Sequence, residues 1–556
     1  VHLDKKHDPK KNAEMLLAYI PNVTIHDLVR ETMDQWKEHQ KNAQVAVTKR
    51  KVSFTIRTTI KQIGIRLISR LFNTKRPIPV HMSETVVDSS GQAAPEWKEA
   101  LDHEFEKLTS TIKEVNVLDY GAVGDGKTDS TDSFKKAIGK GKVKVKVPAG
   151  VYVVKGMKLP SWTYLIGEGK GVTIIRLHDL SPKRSWLITN ANHVKGDHHI
   201  AVEGMSLDWN LERLPKDEKS SSGNNRSSCL MYANVTYGWV REVEAINPGL
   251  HCFDVSSTVY TYTGDGTRAK GGSNYIWLDR LNGYGFGDDG ITTHHSDHIF
   301  ISNSHMCDPS GRAHAEGFSN SNGIEVDDGS RNVWLSNNST ARCFGGVEIK
   351  AHATSSAARN VHIFGHLSVN DHRSFNFRHI GHHKADDPES TTAFNITAAN
   401  LVSIHPVYTD LYKNSKPRSL VVSAYRNVVI NYFTAIGDPD YDYRKNPVIA
   451  VQYKARNVTL NHFTVKGFTS AGEDIKVFGG SQKAEQVAIK NVQIDHSAKK
   501  GIFVGEHIND ISIEHVVAIG KQAECACFIQ SPHAKVANIH TEGYKTSVID
   551  QSKQLV

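Results

Sequence analysis

Two short patterns recur through the C-terminal half of this chain, and together they leave few folds open to it. The first appears as Asn274-Tyr275-Ile276-Trp277-Leu278, Asp297-His298-Ile299-Phe300-Ile301, Arg331-Asn332-Val333-Trp334-Leu335 and Arg359-Asn360-Val361-His362-Ile363. It returns as Arg426-Asn427-Val428-Val429-Ile430, Arg456-Asn457-Val458-Thr459-Leu460 and Asn509-Asp510-Ile511-Ser512-Ile513. A polar residue, usually Asn, precedes an alternating strand each time. Asn tolerates left-handed backbone geometry and hydrogen-bonds its neighbours, so it suits a tight turn. Contiguous copies lie ~23 to 34 residues apart, which fits one solenoid coil of two or three short strands. A propeller blade would need four strands and a longer repeat. The expected fold is all-β, a right-handed parallel β-helix, preceded by a smaller, mainly α-helical N-terminal region. Uneven spacing after residue 380 implies a loop insertion between 380 and 420.

The second pattern carries charge. Asp289-Gly290-Ile291-Thr292-Thr293-His294, Asn322-Gly323-Ile324-Glu325-Val326-Asp327, Gly346-Val347-Glu348-Ile349-Lys350 and Ser374-Phe375-Asn376-Phe377-Arg378 line up when Ile291, Ile324, Val347 and Phe375 are set equivalent. Side chains alternate faces along a strand. If those four point inward, Thr292, Glu325, Glu348 and Asn376 form one outward ladder, and His294, Asp327, Lys350 and Arg378 form the next. Rungs ~4.8 Å apart bring Glu325 beside Glu348. Asp254 extends the first ladder one rung earlier. By the same alternation Asp289 points inward, which suits a turn cap.

Composition narrows the partners. The chain has 556 residues and a formal charge of +8, with the excess Lys and Arg concentrated in its N-terminal third. No nucleic-acid recognition module accompanies that charge, so nucleic acid is not an expected partner. No run of ~20 apolar residues and no signal peptide is visible. The six cysteines lack zinc or disulfide-framework spacing and read as free, buried core residues.

The expected domains are residues 1–94, an anchoring or oligomerisation region; 95–115, a short helix or coiled-coil neck; and 116–556, the β-helix. The basic stretch from Ile56 to Phe72 could form an amphipathic helix that meets a partner subunit or a membrane. Trp97, Leu101, Phe105, Leu108, Ile112 and Val115 recur at helical spacing. They form either a coiled-coil seam or one helix packed on the solenoid.

The segment Asp119-Tyr120-Gly121-Ala122-Val123-Gly124-Asp125-Gly126-Lys127-Thr128-Asp129 resembles the start of the pectate-lyase-like β-helix superfamily, above all its phage tailspike and pre-neck appendage branch, and also polygalacturonase-type glycoside hydrolases. That resemblance covers residue 116 to the end. It implies a homotrimer in a virion tail, joined to the tail or baseplate through the N-terminal region and acting at the bacterial surface. It also implies binding, and commonly depolymerisation, of a host surface glycan. Gly287-Asp288-Asp289-Gly290-Ile291 is similar to the family's Asp-Asp segment but comes early. Ser321-Asn322-Gly323-Ile324-Glu325 and Phe344 to Lys350 match the other motifs loosely, without the histidine, so pectin is not the expected substrate.

Glycoside hydrolysis needs one protonated carboxyl and one carboxylate, and crowded acids supply that split. Glu325, Asp327 and Glu348 are the expected acid/base group, with Asp288 and Asp289 as the family-implied pair. His294, Lys350, Arg378, Asn376 and His352 are expected to bind an anionic sugar or stabilise charge. Polygalacturonase-like enzymes invert, so the resemblance implies inversion. Hydrolysis is the leading reading. A polysaccharide lyase, a wall teichoic acid phosphodiesterase and a non-catalytic adhesin are the alternatives, and a ladder that is plain solvated surface would favour the last. No cofactor is expected, although calcium could use Asp288-Asp289 with Asp327-Asp328. His372, His379, His382 and His383 resemble a metal site by count only. Trp209, Tyr284, Phe286, Trp334 and Phe344 are candidates for stacking on sugar rings.

Overall fold

A computed structural model of the chain describes residues 1–42, 83–221, 226–258, 271–352, 357–379 and 393–551. The basic stretch from 56 to 72, His382, His383 and residues 380–392 of the expected insertion at 380–420 lie outside the described residues. From Lys113 onward the chain winds as a right-handed parallel β-helix, each strand pairing in parallel with the strand one coil later.

The coils explain the first sequence pattern. Arg331–Ala341, Arg359–Val369, Phe394–Ile404, Arg426–Ile436 and Arg456–Lys466 stack in register. Each has a left-handed residue at its second position, namely Asn332, Asn360, Asn395, Asn427 and Asn457, all with φ between 52° and 64°. Each has another at its seventh position, namely Asn337, Gly365, Asn400, Tyr432 and His462. The second site bends the strand, so one sequence element serves two faces of a three-sided coil. The third face is a separate short strand. Inward residues of all three, such as Val361, Ile363, Phe375, Phe433 and Phe463, merge into one continuous core.

The N-terminal segments lie against the solenoid. Helices α1 (Asn12–Leu17) and α2 (Ile25–Asn42) pack along it, with Leu28, Val29, Met33 and Trp36 of α2 against Phe364, Ala399 and Val429. Helix α3 (Lys98–Thr111) buries Leu101 and Leu108, with the adjacent Trp97, against Tyr164, Ala201, Trp239, Phe300 and Trp334. The helical seam of residues 97–108 therefore faces the sheet of its own chain. No described helix is long and apolar enough to cross a membrane. All six cysteines are buried and free.

The separate short strands form the face that matters for function. They are β1 (Phe253–Ser256), β2 (Ile291–Thr293), β3 (Asn322–Val326), β4 (Gly345–Ala351), β5 (Arg373–His379) and β6 (Arg418–Ser423). Two loops border their N-terminal ends, 308–321 and 405–417, and meet in a short antiparallel bridge between Phe318 and Tyr412.

Candidate active site

The register of β1 to β6 stacks Phe253, Ile291, Ile324, Val347, Phe375 and Leu420 inward. The adjoining outward column is Asp254, Thr292, Glu325, Glu348, Asn376 and Val421. This is the ladder that period-two alternation requires, with Asp254 in it. Lys350 and Arg378 pair in the next outward column, while His294 and Asp327 follow the ends of β2 and β3.

These side chains are not a solvated surface. Glu325, Asp327 and Glu348 are 2%, 1% and 1% exposed, so they face one another in a crowded, low-dielectric cluster. Lys350 Nζ lies 2.5 Å from Glu325 Oε1 and 3.9 Å from Asp327 Oδ2. Asn322 Nδ2 and Thr292 Oγ1 also donate to Glu325. Both oxygens of Glu348 accept, one from Arg378 Nε at 2.6 Å and the other from Asn376 Nδ2 at 2.7 Å. Burial alone would lower the Lys350 pKa, but Glu325, Asp327 and Asp289 together hold it well above the usual lysine range. Burial, reinforced by Asp328, raises the Asp327 pKa well above the usual carboxylate range. Glu325 and Glu348 are thus fixed as acceptors, and Asp327 is the acid of this cluster that burial inclines to hold a proton.

A second group of acids gathers at the N-terminal ends of β1 and β2. His251 Nδ1 is 3.2 Å from Asp254 Oδ2, and its Nε2 is 3.6 Å from Asp288 Oδ2 and 3.7 Å from Asp289 Oδ2. His314 reaches down from the 308–321 loop to hydrogen-bond Asp288 Oδ1 at 2.7 Å. Asp289 precedes β2, where alternation no longer governs direction. It stays out of the apolar core, its Oδ1 accepting from the amide and side chain of Asn322. Its Oδ2 is left as the oxygen able to hold a proton.

The two neighbouring carboxyls are driven apart. Burial would raise the Asp288 pKa, but the His251 imidazole 3.6 Å away and the hydrogen bond from His314 outweigh it and hold Asp288 far below its usual value. Burial, with the charges of Asp288 and Glu325, pushes Asp289 well above the carboxylate range. Burial also opposes charge on His251, yet Asp254 and Asp288 keep it protonated. His294 goes the other way, held neutral by burial and by charged His251. One carboxylate and one carboxylic acid on adjacent residues are a matched base and acid.

Sequence reasoning did not find His251 or His314. His251 stands three residues before Asp254, already a ladder residue, so a search for partners of Asp254 would have reached it. His314 lies in an aperiodic loop and had no sequence signal. His352 sits at the rim, holding Asp328 through its amide and Nδ1, both at 2.9 Å. The proposed sugar-stacking aromatics need correcting: Trp209, Phe286 and Trp334 are buried in the solenoid or under its helical cover, and Phe344 is buried against His372 and Tyr412. The exposed aromatics beside the ladder are Phe318, Tyr408 and Tyr412. His372 is buried against Phe344 and is neutral, its pKa pushed down to about 3 by burial.

Among the described residues, three groups bring ligand atoms within 4.8 Å of one another: His251 with Asp288 and Asp289, His294 with Glu325 and Asp327, and Asp327 with Asp328 and His352. They include the four aspartates expected to serve calcium. Each also contains an imidazole, which suits a transition metal better than calcium.

Residues 114–348 match the family model described as rhamnogalacturonase A/epimerase, pectate lyase-like. The phage-related protein YobO of Bacillus subtilis (strain 168) is 49% identical over 471 residues, 84% of this chain and 58% of that protein. The pre-neck appendage protein of Bacillus phage phi29 is 43% identical over 431 residues, 77% of this chain and 49% of that protein. The crystal structure of the N-terminal fragment of bacteriophage phi29 gene product 12 superposes with a TM-score of 0.73 at 39% identity, covering 81% of this chain and 74% of that one. The chain spans about half the length of the curated relatives it matches. Its coils, its outward ladder and these relatives place it in the pectate-lyase-like right-handed β-helix superfamily, within the phage pre-neck appendage branch.

Proposed function

We propose that this chain is the catalytic, receptor-binding portion of a phage tail appendage, and that it hydrolyses glycosidic bonds of a bacterial surface glycan. The observation that carries the reading is the buried cluster of acids on one outward face, with its protonation split between Asp288 and Asp289. Similarity to the pre-neck appendage protein of Bacillus phage phi29 supports a place on the virion. In the proposed step, the Asp288 carboxylate attacks the anomeric carbon while Asp289 Oδ2 gives its proton to the departing glycosidic oxygen; their oxygens come within 4.8 Å, the spacing of a retaining pair rather than the inverting pair the resemblance implies. The Asp289 carboxylate then takes a proton from the water that hydrolyses the glycosyl ester, which leaves one new reducing end and returns both acids to their starting state. Lys350 and Arg378 hold Glu325 and Glu348 in place, each cation paired with the acid it orients.

One observation favours a second reading, β-elimination. His294 is neutral and able to abstract a proton beside a uronate carboxylate, whereas Lys350 is held too firmly protonated to be that base. Product analysis separates the readings. Purified capsular, exopolysaccharide and wall-polymer fractions are incubated with the chain, with Asp289→Asn and with Glu348→Gln. Chain shortening with new reducing ends and no ultraviolet absorbance, lost in Asp289→Asn, is the expected result. Unsaturated, absorbing ends would replace hydrolysis with lyase action, and released phosphomonoesters would indicate a teichoic acid phosphodiesterase. Binding without shortening of any fraction would leave an adhesin.

A further inference from the structure

Beyond Glu348 the face carries two arginines without a direct ion pair among the described residues, Glu348 and Glu473 acting on them only at longer range. Arg373 opens β5 and pairs in register with Arg418, which opens β6 one rung later. The Arg373 guanidinium lies over the Phe344 ring, 5.7 Å from its centroid. Its Nε is buried without a hydrogen-bond partner, and among the described residues it has no ion pair. Arg418 donates to the Pro447 carbonyl at 2.8 Å and likewise has no ion pair among the described residues. Arg378 is matched by Glu348, so Arg373 and Arg418 are left as a cationic excess. Desolvation and the neighbouring Arg378 pull the Arg373 pKa down to about 10. Half-burying a guanidinium without a counter-charge is costly, and planar guanidinium donors match carboxylate and phosphate oxygens.

The wall beside these arginines is aromatic and open. Tyr412 stands 5.1 Å from Phe344 between ring centroids, and Phe318 packs edge-on to Tyr412 at 6.5 Å. Tyr408 touches His372, whose ring in turn stacks on Phe344. Phe318 is 64% exposed, Tyr408 43% and Tyr412 36%, large apolar surfaces left to solvent on two loops that border the ladder. Cationic guanidiniums next to exposed rings form a surface suited to a sugar ring bearing an anionic group.

We propose that Arg373 and Arg418, with Tyr412 and Phe318, form a specificity subsite for an anionic substituent of the glycan, a carboxylate or a phosphate. The subsite rests on the depolymerase reading for its place along the bound polymer. It lies three to four rungs from Asp288 and Asp289, on the order of 15 Å at about 4.8 Å per rung. It therefore grips a neighbouring unit of the polymer rather than the bond being cut. The arginines confer the preference for acid, and the rings orient the sugar.

The test is calorimetric titration of the full chain with three polymers: oligogalacturonate as the carboxylate probe, poly(glycerol phosphate) as the phosphate probe, and dextran as the neutral control. Arg373→Gln, Arg373→Lys, Arg418→Gln and Tyr412→Ala are compared with the unaltered chain at low and high salt. At least one acidic polymer should bind, and the one that binds identifies the substituent. Arg373→Gln should weaken that binding about tenfold and flatten its salt dependence, with Arg373→Lys recovering part of it. Equal affinity and salt dependence in Arg373→Gln, or dextran binding as tightly as both acidic polymers, would overturn the subsite, as would failure of both acidic polymers to bind. Arg418→Gln loses a bond to Pro447 and can disturb folding, so Arg373→Gln and Tyr412→Ala decide the outcome. On a polymer that is cleaved, Arg373→Gln should raise KM and spare kcat. Cleavage with unchanged KM would remove the subsite and leave the depolymerase standing. Arg373-dependent binding with no cleavage of any surface fraction would do the reverse.

Discussion

The same coils carry two polar ladders of opposite character. On the bent strands, Asn360 Nδ2 donates to Asn332 Oδ1 at 3.0 Å, Asn395 to Asn360 at 2.9 Å, Asn427 to Asn395 at 3.2 Å and Asn457 to Asn427 at 2.9 Å. The inner amides of Asn360, Asn395 and Asn427 each give and receive along the stack, Asn332 at its end donates to Asp297, and each residue also supplies the left-handed turn. On the short strands, Asp254, Glu325 and Glu348 stand in one column with Asp288, Asp289 and Asp327 beside them. There, neutralisation depends on a few cations reached through space. A solenoid repeats its neighbours' geometry, so a ladder that satisfies itself is structural. A ladder that leaves charge unbalanced is a place where chemistry can occur.

The sharpest way to break this contrast is at the split pair. Asp289→Asn keeps the hydrogen bonds to Asn322 and removes the proton donor. Activity on a cleaved fraction should fall ~10²- to 10⁴-fold with thermal stability unchanged or raised. The pH profile follows from the two directions. Asp288 is depressed, so the rate should hold as pH falls through the ordinary carboxylate range. Asp289 is raised, so the rate should decline on the alkaline side as its proton is lost, and Asp289→Asn should lack that limb. An unaffected rate in this variant would move the acid role to Asp327.

Lys350→Met probes the charge balance of the acid ladder. It strands Glu325 and Asp327 as buried acids and should cost about 3–5 kcal/mol in denaturant unfolding. Adding Glu325→Gln should restore a large part, because the two residues share one interaction. A loss under 1 kcal/mol would mean water reaches the cluster.

Asn395→Ala tests the neutral ladder. It forces a Cβ-bearing residue without a compensating side chain to keep φ near 64° and leaves two neighbouring amides short of partners. We expect a loss of roughly 2–3 kcal/mol with kcat/KM intact. A fall in activity larger than the fall in stability would show that the ladders communicate.

The smallest effect concerns a lone buried acid outside both ladders. Asp474 accepts from Ser497 Oγ and the Ala498 amide, and burial raises its pKa to about 7. The folded state holds this proton more tightly than the unfolded chain does. Its contribution is therefore complete below about pH 4 and is lost as pH rises towards 7. Asp474→Asn should flatten that decline, gaining roughly 1–2 kcal/mol above pH 7 relative to the parent.

How much was legible follows from the range of each cause. Strand alternation and the Asn turn are properties of neighbouring residues, repeated once per coil. The amino-acid order alone therefore determined the β-helix, the left-handed asparagines and the column that joins Asp254, Glu325 and Glu348. Helix α3 was visible as a seam, but its partner was not, because one apolar stripe serves a coiled coil and a sheet face equally. The tertiary structure decided where protons reside. His251 and His314 approach Asp288 from outside its strand, and Lys350 crosses to Glu325 on the neighbouring rung. Burial then converts those contacts into opposite protonation of adjacent aspartates. Charge interactions in a low-dielectric cluster depend on distances through space, and period-two patterning carries no record of them.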